Sequence, residues 1–243
     1  MIYHLVFVVM MLNTRELVKT AVTKVADYVL DADAKNLHRA MRRKALNETL
    51  CFVEEEMPGA KPFRSKFSLL EAALQLRPHL GLICEFGVYS GSTINFIASH
   101  VSTPVYGFDS FEGLPEDWQP GVGKGTFRMT SLPRVRRNVT LIKGWFDDTF
   151  PLFAREHEGN CSFLHIDCDL YSSTKAVFQV FGGRIVKGTV IVFDEFFNYP
   201  GWKKGEFLAF QEFVSTNSVQ FEYLGYVMTN EQVAIRITGI RNE

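Results

Sequence analysis

The 243-residue chain is long enough for one large α/β domain with an added helical segment, and its length argues against two domains of equal size. Its 26 Lys and Arg against 27 Asp and Glu leave a net charge of −1, which gives no general electrostatic reason to expect nucleic acid or an anionic membrane as partner. The four cysteines, Cys51, Cys84, Cys161 and Cys168, form no C-x-x-C pair, and three lie in or beside apolar runs, which fits a reducing, cytoplasmic setting.

Met1–Leu12 is apolar but too short to span a bilayer, lacks a basic leader and is not followed by a small-residue cleavage site. It reads as a packed terminal segment, with contact between copies of a homo-oligomer as the second reading. From Thr14 to Leu50 the apolar residues Leu17, Val18, Val22, Val25, Val29 and Leu30, then Leu37, Met41, Leu46 and Leu50, recur at near-helical spacing and predict two or three amphipathic helices. Met57-Pro58-Gly59-Ala60-Lys61-Pro62 breaks the pattern. Ser65 to Leu80 resumes it with Phe67, Leu69, Leu70, Ala73, Leu74 and Leu76. The expected organisation is a helical extension or lid over residues 1–64, covering a sheet edge or the mouth of a site, and a main domain over residues 65–243.

Leu82–Phe86 is a short apolar run broken only by Glu85, as in a strand buried on both faces, and it ends at once in Gly87, Ser90 and Gly91. Ser92-Thr93 and the apolar Ile94, Phe96 and Ile97 then open a helix. Glycine lets such a turn adopt positive φ and lets a ligand lie against bare backbone, while the free N–H groups of the helix favour an anion. The spacing is E-x-G-x-x-x-G rather than the G-x-G-x-x-G of dinucleotide folds. It resembles the first motif of class I S-adenosylmethionine-dependent methyltransferases.

Val105–Asp109 reads as a second strand ending in an acid. In nucleotide-binding α/β folds an acid about 20 residues after the glycine turn accepts hydrogen bonds from ribose hydroxyls. Asp109 stands within GFDSFEGLPE, Gly107 to Glu116. With EFGVYSG and the acidic strand ends below, this segment resembles the macrocin O-methyltransferase family, over roughly Phe67 to Ile237. That resemblance implies a Rossmann-like class I methyltransferase fold with S-adenosyl-L-methionine as donor and a divalent cation, usually magnesium, at the acceptor site. It implies a seven-stranded, mostly parallel sheet with helices on both faces, the last strand antiparallel. It also implies that Glu85, Gly87, Tyr89, Ser90, Ser92, Asp109, Ser110 and Asp167 face the cofactor.

Trp118 to Arg137 is polar and glycine-containing and reads as a mobile loop near the cofactor; its GVGKGTF lacks the G-x4-G-K spacing and the preceding strand of a phosphate loop. Val139–Lys143 is a third strand, followed by Gly144, Trp145 and Phe146 where an adenine-facing loop falls. Trp145 or Phe146 either stacks on the base or fills the core.

Cys161 to Tyr171, CSFLHIDCDLY, is a fourth strand whose end carries Asp167 and Asp169, side chains that share a face if the extended geometry persists. Val190–Phe193 is a fifth, ending in Asp194-Glu195. Parallel strand ends converge at one edge, and four carboxylates gathered there repel one another unless a cation sits among them. Oxygen-only ligands suit a hard ion such as magnesium. By resemblance, Asp167, Asp194 and Glu195 match the metal ligands and Asp169 the general base, with Asp167 beside it in the catalytic group; Glu195 departs from the paired aspartates of that family. Any one of these acids is also suited to capping a following helix, as Asp169 before Leu170-Tyr171-Ser172. His165 reads as a satisfied core residue.

Phe196 to Gly205 is aromatic and turn-rich, which makes Tyr199, Trp202, Lys203 and Lys204 candidates for an acceptor-side lid. Phe221–Val227 and Gln232–Ile237 close the sheet around a turn at Thr229-Asn230. The functional expectation is O-methylation of a small-molecule hydroxyl, on a sugar or phenol of a natural product. The competing reading is a metal-dependent glycosyltransferase using the D-x-D of Asp167 and Asp169, which leaves EFGVYSG and GFDSFEGLPE unexplained.

Overall fold

A computed structural model describes residues 2–240, with the side chains of residues 2–14, 29, 31 and 33 outside the description. Two compact units divide between Lys44 and Ala45. In the first, helix α1 (Ile2–Ala34) runs for 33 residues and α2 (Leu37–Glu56) begins. Leu17, Val18, Val22, Val25 and Leu30 of α1 are exposed. The packing expected of Met1–Leu12 lies outside the described residues.

The second unit is built on one sheet. Its strands are β1 (Lys61–Phe63), β2 (Leu82–Phe86), β3 (Val105–Asp109), β4 (Val139–Lys143), β5 (Cys161–Ile166), β6 (Val190–Phe193), β7 (Val219–Val227) and β8 (Val233–Ile240). They lie in the order β1-β7-β8-β6-β5-β2-β3-β4. Every pairing is parallel except the two made by β8, so the antiparallel last strand is present as expected. The count corrects the expected seven strands to eight. The extra strand, β1, overlaps the end of the proline-rich break; three residues are too few to show alternation, and Pro62 is tolerated because β1 is an edge.

Helices α3 (Lys66–Leu76) and α4 (Ser92–Ser99) cover one face, and α5 (Phe146–Glu156), α6 (Tyr171–Phe181) and α7 (Glu206–Thr216) the other. The two-residue period of a strand sorts its side chains between these layers. Val190 and Val192 join the cluster of Leu70, Ile94 and Ile97, whereas Ile191 and Phe193 join Phe178, Phe210 and Phe213. Phe108 meets the rings of Phe86, Phe150, Phe153 and Phe181 at 5.2, 5.3, 4.9 and 5.8 Å. Truncating such a buried ring to alanine costs about 3 to 5 kcal/mol.

Strand order reverses between β2 and β5: β3 and β4 lie on one side, β6 and β8 on the other. In an open α/β sheet that reversal leaves a crevice at the carboxyl ends of the strands, where the two crossover loops part.

Candidate active site

A cleft of about 670 Å³ occupies this crevice. Its floor begins at Gly87, where the backbone takes φ +88° and a Cβ would meet the carbonyl oxygen of Asp167 at 1.7 Å. Only glycine lets the loops after β2 and β5 approach so closely. Asp109, at the end of β3, fixes the same turn. One carboxylate oxygen accepts from the N–H groups of Val88 and Tyr89, both at 2.8 Å, and the other from Phe111 N at 2.6 Å. Those bonds hold Tyr89 and Phe111 at positive φ, 45° and 57°, a conformation non-glycine residues rarely adopt. Asp109 faces the cleft while serving as this anchor.

Tyr89, Ser90, Ser92, Ser110, Gly144, Trp145 and Phe146, expected to face a cofactor, also line the cleft. α4 starts after Gly91 (φ +78°) with no side chain capping it. Phe146 opens α5 and stacks on Phe150 at 4.4 Å, so it is a helix residue joined to the core and not part of a loop. Trp145, 38% exposed, presents the freer ring.

Glu85 requires a correction. It is fully buried, does not line the cleft, and hydrogen-bonds His165 Nδ1 at 3.2 Å. A side chain inside a strand between two parallel neighbours points into a helix-covered layer, and residues at or past the strand end reach the crevice.

The segment between β3 and β4 folds over the opening. Leu114, Glu116, Trp118 and Phe127 contribute to the wall, and Ser172 Oγ on α6 donates to Glu116 at 2.6 Å. Phe196 to Gly205 does not form the expected lid. Tyr199 and Trp202 are buried, and Trp202 packs edge-on against Phe52 and Phe207 at 5.5 and 4.8 Å, so burial of the rings outweighs their display at the surface.

The acids converge. Asp167 and Asp169 follow β5, Asp194 and Glu195 follow β6, and all four line the cleft. The extended geometry assumed for D-x-D does not persist, since Asp169 sits at φ +63°, yet the turn still delivers both carboxyls to one space. No side chain caps α6, so Asp169 is not a helix cap. Asp167, Asp194 and Glu195 each bring one oxygen within 4.8 Å of the others. Glu195 Oε2 is buried without a hydrogen-bond partner. Asp194 Oδ1 is likewise buried without one, and three oxygen ligands with two oxygens left without a hydrogen bond fit a hard divalent cation.

Burial, then the neighbouring Asp194, raises the Asp167 carboxyl well above the usual carboxylate range, and the same causes raise Glu195. Burial, followed by Asp194 and Glu231, lifts Asp169 to about 7. Asp194 goes the other way: burial would raise it, but His165 and Lys66 overcome that and hold it at about 2.

Two residues that sequence reasoning passed over, Lys66 and Glu206, complete the arrangement together with His165, which it read as a core residue. Lys66, first residue of α3, places Nζ 3.0 Å from Asp194 and 3.7 Å from Asp167. His165 Nε2 lies 3.6 Å from Asp194, an ionic distance, while Nδ1 holds Glu85. Burial would lower His165, yet the flanking acids raise it to about 10. Glu206, buried at the start of α7, accepts from the backbone N–H groups of Cys168 at 3.4 Å and Glu195 at 3.2 Å, tying together the two loops that carry the acids. In sequence Lys66 resembles any surface lysine and Glu206 any acid in a helix first turn.

Comparison with known proteins agrees with this geometry. Residues 84–196, from β2 to just past β6, match a family described as a methyltransferase domain. Among solved structures the chain is similar to CalS11, a calicheamicin methyltransferase, with 22% identity over 70% of this chain and 76% of that one, at a TM-score of 0.52. It is also similar to the O-methyltransferase NovP, with 19% identity over 71% and 79% of the two chains and a TM-score of 0.53. These likenesses are of fold. No curated protein matches the chain. The matched segment is that of a methyltransferase domain, and the fold is the one its solved methyltransferase neighbours share, which favours methyl transfer over the D-x-D sugar-transfer alternative. Among the described residues, no helix is long and apolar enough to cross a membrane.

Proposed function

We propose that the chain methylates a hydroxyl oxygen of a small molecule, a sugar or phenol of a natural product, using S-adenosyl-L-methionine and a magnesium ion. One observation carries the reading: the glycine turn with Asp109 and the acids with Asp167 and Asp194 line a single cleft. Its volume, about 670 Å³, lies within the range of small-molecule sites.

Gly87 keeps the floor free of side-chain atoms, and Tyr89, Ser90, Ser92, Asp109 and Ser110 form the wall that would hold the amino-acid and ribose parts of the donor. Gly144, Trp145 and Phe146 form the wall for its base. The donor supplies an electrophilic methyl group on a sulfonium. Asp167, Asp194 and Glu195 would hold the cation, which when bound makes a nearby hydroxyl more acidic. Asp169, its affinity for a proton raised by burial and like charge, accepts the hydroxyl proton. Glu206 keeps the two acid-bearing loops in register. Exclusion of water by the segment carrying Trp118 and Phe127 protects the donor and holds the acceptor for in-line attack. Cytoplasmic residence goes with the reading, since three of the four free cysteines are buried core residues.

Calorimetry tests the assignment. S-adenosylmethionine or its demethylated product is expected to bind, UDP-sugars not, and EDTA should abolish methyl transfer in an acceptor screen. Binding of the sugar nucleotide alone would overturn the donor assignment, and full turnover in EDTA the metal role.

A further inference from the structure

A cationic side chain already lies against two of the three clustered acids. Lys66 is the first residue of α3, whose start is fixed by a capping box: Ser65 Oγ accepts from Ser68 N at 3.2 Å, and Ser65 N donates back to Ser68 Oγ at 3.3 Å. A lysine in the first turn faces the positive end of the helix dipole and gains nothing there, and no acid of that turn offsets it. Its compensation lies across the cleft. Nζ is 3.0 Å from each carboxylate oxygen of Asp194 and 3.7 Å from Asp167 Oδ2.

Asp194 and Asp167 are also two of the three acids whose oxygens cluster within 4.8 Å. A magnesium ion sits about 2.0 to 2.1 Å from each oxygen that binds it. An ammonium 3.0 Å from those same oxygens would then face a divalent charge at close range with no carboxylate left to separate them. With Nζ against both of its oxygens, the ammonium in this position competes with the ion for Asp194. The lysine is also able to leave: its side chain is 26% exposed on the cleft wall, and its four-carbon stem is flexible.

We infer that Lys66 is an internal competitor of the divalent ion: its ammonium occupies the Asp194–Asp167 position in the ion-free protein and swings away when the ion binds. The inference deepens the metal reading above and rests on it. In this scheme Lys66 sets the affinity of the site and holds the loops after β5 and β6 together while no ion is bound.

The test measures ion binding itself, with Mn²⁺ as probe, by calorimetry or electron paramagnetic resonance, on wild type and Lys66→Met, with S-adenosylmethionine binding as the check on folding. Exchange predicts that Lys66→Met binds Mn²⁺ at least about tenfold more tightly, because the competitor is gone while the stem remains. A second measurement uses the unmodified protein. Amine labelling of Lys66, read by mass spectrometry, should rise on saturation with Mg²⁺ while that of surface lysines such as Lys187 stays constant. Equal or weaker Mn²⁺ binding by Lys66→Met, or labelling unchanged by Mg²⁺, overturns the exchange and leaves the metal reading standing. No Mn²⁺ binding by either protein, with S-adenosylmethionine binding intact, overturns both.

Discussion

His165 Nδ1 lies 3.2 Å from Oε1 of Glu85, and on its other side Nε2 lies 3.6 Å from Oδ1 of Asp194. One buried imidazole thus stands between the acid of the glycine-turn strand and an acid of the carboxylate cluster. It joins β2, β5 and the end of β6 inside the sheet, fully buried and behind the residues that line the cleft.

The pH dependence of stability follows from that position. His165 is raised from its ordinary 6.5 to about 10 in the folded protein, so its contribution is complete below 6.5 and is lost as pH rises from there toward 10. Melting temperature should therefore fall across this interval, and His165→Gln should flatten the fall while lowering stability at the acid end. Identical pH profiles for the two proteins would show that the imidazole is not charged between its acids.

Asp169→Asn keeps the size of the side chain and removes its basicity. Turnover should drop about 10²- to 10⁴-fold, the usual contribution of a general base. Affinities for S-adenosylmethionine and Mn²⁺ should change little, because Asp169 is not among the three acids whose oxygens cluster. Assays beside calorimetry check this, and a turnover within about threefold of wild type would remove Asp169 from the reaction.

Gly87→Ala should be among the most damaging substitutions of a small residue in the chain. Its new Cβ would overlap the carbonyl oxygen of Asp167 at a backbone position with φ +88°. A loss of about 4 kcal/mol, or on the order of 10 °C in melting temperature, is expected, together with loss of donor binding. Gly59→Ala, where nothing lies within 4 Å of the new atom, is the control and should melt within about 2 °C of wild type.

Local pattern carried most of the fold. β2, β5 and β6 are visible as apolar runs because a parallel strand is buried on both faces, and the glycines and acids that end them mark the crevice. Position within the sheet was not legible. Glu85 and Asp109 look alike as acids of strands near a glycine turn, but one lies inside its strand and the other at its end, and that offset decides which of them sees the cleft. β1 escaped notice because three residues against an edge carry no period.

What the sequence determined by itself is the set of groups that meet at the strand ends, since strand length and the residue that follows are local matters. Only the tertiary structure decided what balances their charge. Lys66 and Asp194 are 128 residues apart in the chain, and Glu206 ties together two loops that come from different strands. Electrostatic compensation depends on distance in space, and spacing along the chain does not encode it.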